Sequence, residues 1–346
     1  SAFSEPLTEV FARQARFMRS QDASFSAAIM DAVAAHIMLA PECAVTFASW
    51  SGDYHAAALP LRLLAGLHHV ARAGRVPELS AVFAGREHRC EDAVILALSS
   101  CDRELASWLA RPTQTNEVAR SAAIMAALRI VTARYDLPLT LFELGASAGL
   151  NLILDRYAFD LGGVRGGDPA SPLEVRPGWT GGAPGGAPPQ ILAACGVDRN
   201  PLDVRDPADC ERLFAYVWPE RRERLQRLRQ AIGLAREQHP RIQSGDAVSW
   251  ITDLLRAPAR DGVTRCVVHT MFVQYLGIED KARIDMEMAR TGAEATKQDP
   301  LARISLEWND RRDRVELALT SWPDGERRVL AYCHPYGAWI HWLDES

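Results

Sequence analysis

Long apolar runs, paired cysteines and a strong charge of either sign are all missing from this chain. No uncharged apolar stretch reaches the roughly 18 residues that a spanning helix needs, so no membrane partner is expected. The segment "SAFSEPLTEVFARQ" lacks a basic region followed by an apolar run, so it does not read as a signal peptide. The expected location is the cytoplasm. The seven cysteines, at 43, 90, 101, 195, 210, 266 and 333, are scattered. No two make C-x-x-C, and none joins histidines at zinc-ligand spacing, so free thiols and no metal are expected. The net charge of −5 gives no electrostatic case for nucleic acid or an anionic surface. A small-molecule substrate is the partner that remains; the sequence does not fix an oligomeric state.

What is present is ordinary globular material, enough at 346 residues for one large core or two modest ones. Residues 7–110 read as helices. "LTEVFARQARFMRS" spaces Val10, Phe11, Phe17 and Met18 near a helical period, and "LPLRLLAGLHHVARAG" has Pro60 to start it and Gly74 to stop it. A further helix, "NEVARSAAIMAALRIVTARYD", runs from Asn116 to about Arg134.

Beyond it the pattern changes. "LPLTLFELGA" is a short apolar run bounded by Pro138 and Gly145, the mark of a buried strand, and "AGLNLILDRY" after it reads as a helix. Residues 161–190 are rich in Gly and Pro and read as a surface insertion able to act as a flap. "ILAACGVD" is a second strand ending at Asp198, "RIQSGDA" a third ending at Asp246, and "VTRCVVHTMFVQYL" a fourth running into a helix. The helical stretch between the second and third strands carries a stripe of Leu225, Leu228, Ile232 and Ala235. "ARISLEW", "RVELALTSW" and "RRVLAYCHPYGAWIHW" close the chain, with a Pro323-Asp324-Gly325 hairpin signal. The fold class is therefore α/β: a doubly wound, Rossmann-like, mostly parallel sheet with an antiparallel C-terminal edge. It occupies residues 113–346, and a helical cap occupies 1–112.

The stretch "LFELGASAGLNL" admits two chemistries. As G-x-S-x-G it is a nucleophile elbow with Ser147 exposed on a strand-to-helix turn, and Asp246 and His334 complete a triad in the required chain order. The strands that a hydrolase places before its elbow are missing, and so is a glycine-rich oxyanion loop. As E-x-G-x-S-x-G it is a cofactor turn. Glu143 is a carboxylate inside an apolar strand, costly to bury without a cationic or amide partner. Gly145 permits a positive φ, Ala146 and Ser147 are small enough for close approach, and Gly149 lets a helix begin tightly. The plain alternative is a ligand-free turn with Glu143 paired internally. Three successive strands then end in polar groups: Asp198, Asp246 and His269. Asp246 also reads as a helix N-cap, and His269 as a satisfied structural histidine or, with a pKa near neutrality, a general base. Gln114, Asn116 and Glu117 open the helix before the first strand and are placed to reach over the turn; Thr115 or Asn116 reads equally as its N-cap. For Trp218 and Tyr216, core packing is the plainer reading. The run "RRERLQRLR" reads as a solvated helix face, and His334 and His341 as local packing.

Taken together, "FELGASAGLNL", "GVDRNP" and "SGDA" resemble the first three cofactor motifs of class I S-adenosylmethionine-dependent methyltransferases. More specifically, "QTNEVARS", "ELGASAGLNLILDRY", "GGDPASPLEV", "AYVWPE" and "HPYGAWIHW" resemble a bacterial domain-of-unknown-function family grouped with methyltransferase-like folds. The resemblance implies S-adenosylmethionine as cofactor. It places Glu143, Gly145, Ala146, Ser147, Gly149 and Asn151 at the cofactor turn, Asp198 (with Asp160 as rival) on the ribose, and Asp246 with Ala247 on the adenine edge. Ser147 stands where the family pattern has a glycine, and His269 departs from the usual fourth-strand residue. The implied activity is methyl transfer to an unidentified acceptor. A silent ligand-binding member of the same fold and a serine hydrolase are the alternatives. A nicotinamide cofactor does not fit, because the turn does not follow G-x-G-x-x-G.

Overall fold

The computed structural model describes residues 6–343 apart from Ala56, Glu87, His88 and Ala259. It divides into two compact units: one takes the residues up to Thr115 together with Asp206–Gln226, the other Asn116–Arg205 and Arg227 onward.

The first unit is helical: α1 (Leu7–Ser20), α2 (Ser24–His36), α3 (Pro41–Ser49), α4 (Leu59–Arg72), α5 (Pro77–Phe83), α6 (Cys90–Ser100) and α7 (Asp102–Leu109). Phe11, Met18, Ile29, Met30, Phe47, Leu63 and Leu67 are fully enclosed in its core, with Phe11 edge-on to Phe47 at 5.0 Å. The returning segment begins at α9 (Pro207–Ala215), started by the Asp206 carboxylate accepting from Ala208 N. Among the contacts that tie this segment to the earlier helices are two that reach buried residues. The buried His68 ring lies 3.1 Å from the Ala215 carbonyl, and burial holds its pKa down to about 4. The Glu220 carboxylate accepts from Ser26 N (3.0 Å) and Ser26 Oγ (2.7 Å). Ser26 lies in the first turn of α2, whose preceding residue, Ala23, offers no side-chain cap. Glu220 therefore satisfies from outside an amide that the helix leaves open, at the end where negative charge is favoured. Replacing Glu220 by Ala is expected to cost about 1–3 kcal/mol, the range for losing a charged acceptor of two part-buried donors. Chemical denaturation reads it, and an unchanged midpoint would show that the bond carries no stability.

The second unit is mixed α/β. Its helices are α8 (Ser121–Tyr135), α10 (Arg222–Gln238, which starts in the first unit), α11 (Ala247–Arg256) and α12 (Ile278–Glu294). Its strands are β1 (Leu139–Leu144), β2 (Ala158–Leu161), β3 (Val164–Gly167), β4 (Glu174–Val175), β5 (Gly178–Thr180), β6 (Ile191–Asp198), β7 (Arg241–Ser244), β8 (Thr264–Thr270), β9 (Leu301–Trp308), β10 (Val315–Trp322), β11 (Glu326–Cys333) and β12 (Trp339–Trp342). Nine of them form one sheet in the order β5-β12-β11-β10-β9-β8-β1-β6-β7. The five strands from β7 to β9 run parallel, β10, β11 and β12 alternate antiparallel, and β5 pairs parallel with β12. β3-β2-β4 make a separate small sheet.

Side chains alternate across β1. Phe142 and Leu144 join Val197, Val267 and Leu301 under α11 and α12, whose Val248, Ile251, Ile284 and Met288 close that core. Glu143 therefore points to the opposite face. Gly181 and Gly186, both at positive φ, lie against the backbones of Trp342 and Arg129, and Trp179 stacks on Trp342 at 5.7 Å. Residues 161–190 are thus built into both sheets and are not a hanging flap. No single helix among the described residues is long and apolar enough to cross a membrane.

Candidate functional site

The site is assembled where β1 and β6 end side by side. Gly145 N and Ala146 N both donate to the Val197 carbonyl, at 2.9 and 3.0 Å, which hooks the turn over the end of β6. Gly145 (φ 73°), Ser147 (φ 52°) and Gly149 (φ 72°) all take the left-handed region. A Cβ on Gly145 would come 2.5 Å from Phe272 Cδ2, so the residue must be glycine while that ring lies over it. Ser147 N donates to Asp198 Oδ2 at 2.9 Å, and Asp198 Oδ1 accepts from Asn200 N at 2.8 Å. Asn116 Oδ1 receives Ala148 N (3.2 Å) and Leu150 N (3.0 Å), and Gly149 N bonds Ala146 O at 2.7 Å.

Two sequence expectations change here. No helix follows the turn: residues 150–153 form turns and Leu154–Arg156 a single 3-10 turn. The Tyr157 hydroxyl donates to Leu150 O at 2.6 Å, a carbonyl that a helix would pair with its own amide four residues on, while Asn116 holds the amides of Ala148 and Leu150, which even a helix starting here would leave open. The strand–turn–helix context is therefore absent for both the elbow and the cofactor readings, and no helix N-terminus faces the turn. In addition, the amides of residues 145–150 that the bonds above describe are directed at protein acceptors.

Glu143 is the unusual group. It is 2 % exposed. Asn151 Nδ2 donates to its Oε1 at 3.0 Å, while Glu143 Oε2 and Asn151 Oδ1 are both buried without hydrogen-bond partners. Burial pushes the Glu143 carboxyl up to about 8; the Asn151 bond and Arg120 pull down, and Asp198 pushes further up. Arg120 itself is buried, donating to Pro335 O at 2.8 Å.

The other predicted residues are placed as follows. Asn116 reaches over the turn, as above. Glu117 caps a 3-10 turn, Val118–Arg120, through Ala119 N, and α8 begins only at Ser121, so neither Thr115 nor Asn116 caps this helix. Gln114 is buried in the helical unit. Asp198, not Asp160, is the acid at the turn: Asp160 bonds Gly163 N within its own hairpin and pairs with Arg176. Asp246 lies just beyond β7, which stops at Ser244. It caps α11 through Ser249 N (3.0 Å) and pairs with Arg199, and Ala247 is the buried first residue of that helix. Buried His269 has both ring nitrogens engaged. Nδ1 is 2.7 Å from Glu307 Oε1, and Nε2 accepts from Arg303 Nε at 3.0 Å. Burial lowers its pKa, and the Arg303 bond fixes the neutral ring with its proton on Nδ1. As a general base it has no nitrogen free, so the structural reading of this histidine is the one the geometry favours.

Glu307, which also receives Phe272 N (3.0 Å) and Val273 N (3.4 Å), is a residue that the sequence reading passes over. A signal exists: "ISLEW" places a carboxylate in an apolar strand, just as "LFEL" does. Arg120 and Phe272 carry no such signal. Among the described residues no cluster of three or more potential metal ligands occurs, and no disulfide joins any of the seven cysteines.

A family model described as "Uncharacterized protein conserved in bacteria (DUF2332)" matches residues 8–342. No curated protein and no solved structure matches the chain.

Proposed function

Because the chain belongs to that uncharacterised bacterial family, whose description assigns no activity, we propose from its residues that it binds S-adenosylmethionine at the ends of β1 and β6 and transfers its methyl group. The five parallel strands, numbered by their order along the chain, run 3-2-1-4-5 across the sheet. That is the order of doubly wound folds, whose ligands lie beyond the strand C-termini at the point where the order reverses. The turn after β1 sits there. Glu143 carries the proposal: a carboxylate at that point, with one oxygen buried and lacking a donor, fits an ammonium group. Asp198, at the end of the neighbouring strand and not fully enclosed, is placed for ribose hydroxyls. When bound, the cofactor would supply an electrophilic methyl group. The chain's part is to hold and orient it and to keep water out. With Glu143 only 2 % exposed, binding requires the surrounding side chains to part.

A second reading, a binding member of this fold without turnover, is favoured by His269, whose ring is fully engaged. Calorimetry with S-adenosylhomocysteine tests what both share. Micromolar binding is expected, weakened on the order of tenfold to a hundredfold in Glu143→Gln, as for loss of a charged hydrogen bond. No heat and no thermal stabilisation at millimolar ligand would end the proposal.

A further inference from the structure

We infer that the cavity between α11 and the sheet is a second binding site, for a planar aromatic anion that places its charged group on Arg265 and its ring against Phe142 and Trp250. The cavity measures about 490 Å³, within the ordinary range for small-molecule sites. Phe142 and Glu143 are consecutive on β1 and face opposite sides of the sheet, so this site is separate from the one proposed above.

Its walls define the ligand. Phe142, Trp250, Leu254 and Val263 supply apolar surface. The Trp250 ring is fixed edge-on to Phe142 at 6.3 Å and held by Nε1 donating to Gln243 Oε1 at 3.2 Å. Arg265 stands on β8, opposite Thr140 in register and two residues before Val267, so it shares the α11 face and lines the cavity. Its guanidinium is half-buried, yet no hydrogen bond or ion pair within the described residues engages its side chain, and its Nε is buried without a partner. Asp299 and Glu294 act on it only through space. This contrasts with the acid at the cavity, Asp246, which is already held by Arg199 and Ser249. The other charged side chains at the cavity, Asp253 and Arg260, are solvent-exposed. A cation of this kind, beside aromatic walls, lacks a planar acceptor.

The probes are 2-naphthoate and its neutral counterpart 2-naphthalenemethanol, titrated calorimetrically into the full chain. Naphthoate is expected to bind one to one, and the alcohol about tenfold more weakly, the loss of a charged bond. Arg265→Gln should abolish the difference. Leu254→Trp, which fills the cavity, should abolish binding of both. Glu143→Gln should change neither. Absence of naphthoate binding at millimolar concentration, equal binding of the two probes to the natural chain, or naphthoate lost in Glu143→Gln would each overturn the assignment. The probe comparison on the natural chain decides even where Arg265→Gln does not fold. A failed S-adenosylhomocysteine titration leaves this result intact, so the two proposals stand or fall separately.

Discussion

Glu143→Gln is expected to gain stability over the natural chain as pH rises from about 5 to about 8.5. The Glu143 carboxyl is pushed up to about 8 from an ordinary 4.5. The folded chain therefore keeps a proton there that the unfolded chain has released. Stability contributed by this group is fully present below pH 4.5 and is lost as pH climbs through 8. Glutamine has no proton to lose, so the difference between the variants should widen across that window to on the order of 3–5 kcal/mol, each pH unit between the unfolded and folded pKa being worth about 1.4 kcal/mol. Denaturant titrations at pH 5.5 and 8.5 measure it, and parallel curves for the two proteins would show that the carboxyl is not held up. The same chemistry signs the ligand proposal. An ammonium ion and a proton compete for one carboxylate, so binding near pH 7 should release close to one proton and strengthen up to tenfold per pH unit below about 8. Calorimetry in buffers of different ionisation enthalpy counts the proton. If binding is pH-independent, the ligand does not engage Glu143. The orphaned Asn151 Oδ1 then receives its hydrogen from a protonated Glu143, and this carboxyl is only a part of the core.

Several strands are legible as short apolar runs with clear punctuation: β1 between Pro138 and Gly145, β6 closing at Asp198, β10 and β11 joined through Pro323-Asp324-Gly325; β2, β3, β4 and β5 are not, because they lie in and beside the Gly- and Pro-rich stretch that reads as an insertion. The failure after Gly149 has a physical cause. Leu150, Leu152, Ile153 and Leu154 are all buried, so the segment has no polar face from which periodicity could be judged. The amides of Ala148 and Leu150 at its start are held by Asn116, more than 30 residues upstream, and the Leu150 carbonyl by the Tyr157 hydroxyl, beyond the segment itself. Tertiary bonds of that kind leave no local trace. The return of Asp206–Gln226 to the helical unit is equally silent, because helix α10 runs straight through the boundary and the tie is made by Glu220 to a serine 194 positions away. Glu143 was visible because a charge in an apolar strand is anomalous by itself; its partner Asn151 lies in the same motif, but the pairing was not readable.

Glu307→Ala should be the most damaging change near the site, costing on the order of 3–5 kcal/mol, because three buried or part-buried donors lose one acceptor and each such loss costs about 1–3 kcal/mol. The carboxylate is mostly buried and does three things at once: it accepts from His269 Nδ1 at 2.7 Å, from Phe272 N at 3.0 Å and from Val273 N at 3.4 Å. Alanine leaves a fully buried ring N–H without an acceptor and frees the turn after β8. Met271 in that turn sits at φ 52°, a conformation that a non-glycine residue keeps only when its neighbours enforce it. The Phe272 ring lies over Gly145, so loosening this turn uncovers the bend after β1. Hydrogen exchange at residues 271–275 should therefore rise along with the loss of global stability, whereas Glu307→Gln, which keeps an acceptor oxygen, should recover most of both. A change below about 1 kcal/mol, with exchange at residues 271–275 unaltered, would show that these three bonds do not hold the turn and that Met271 keeps its conformation without them.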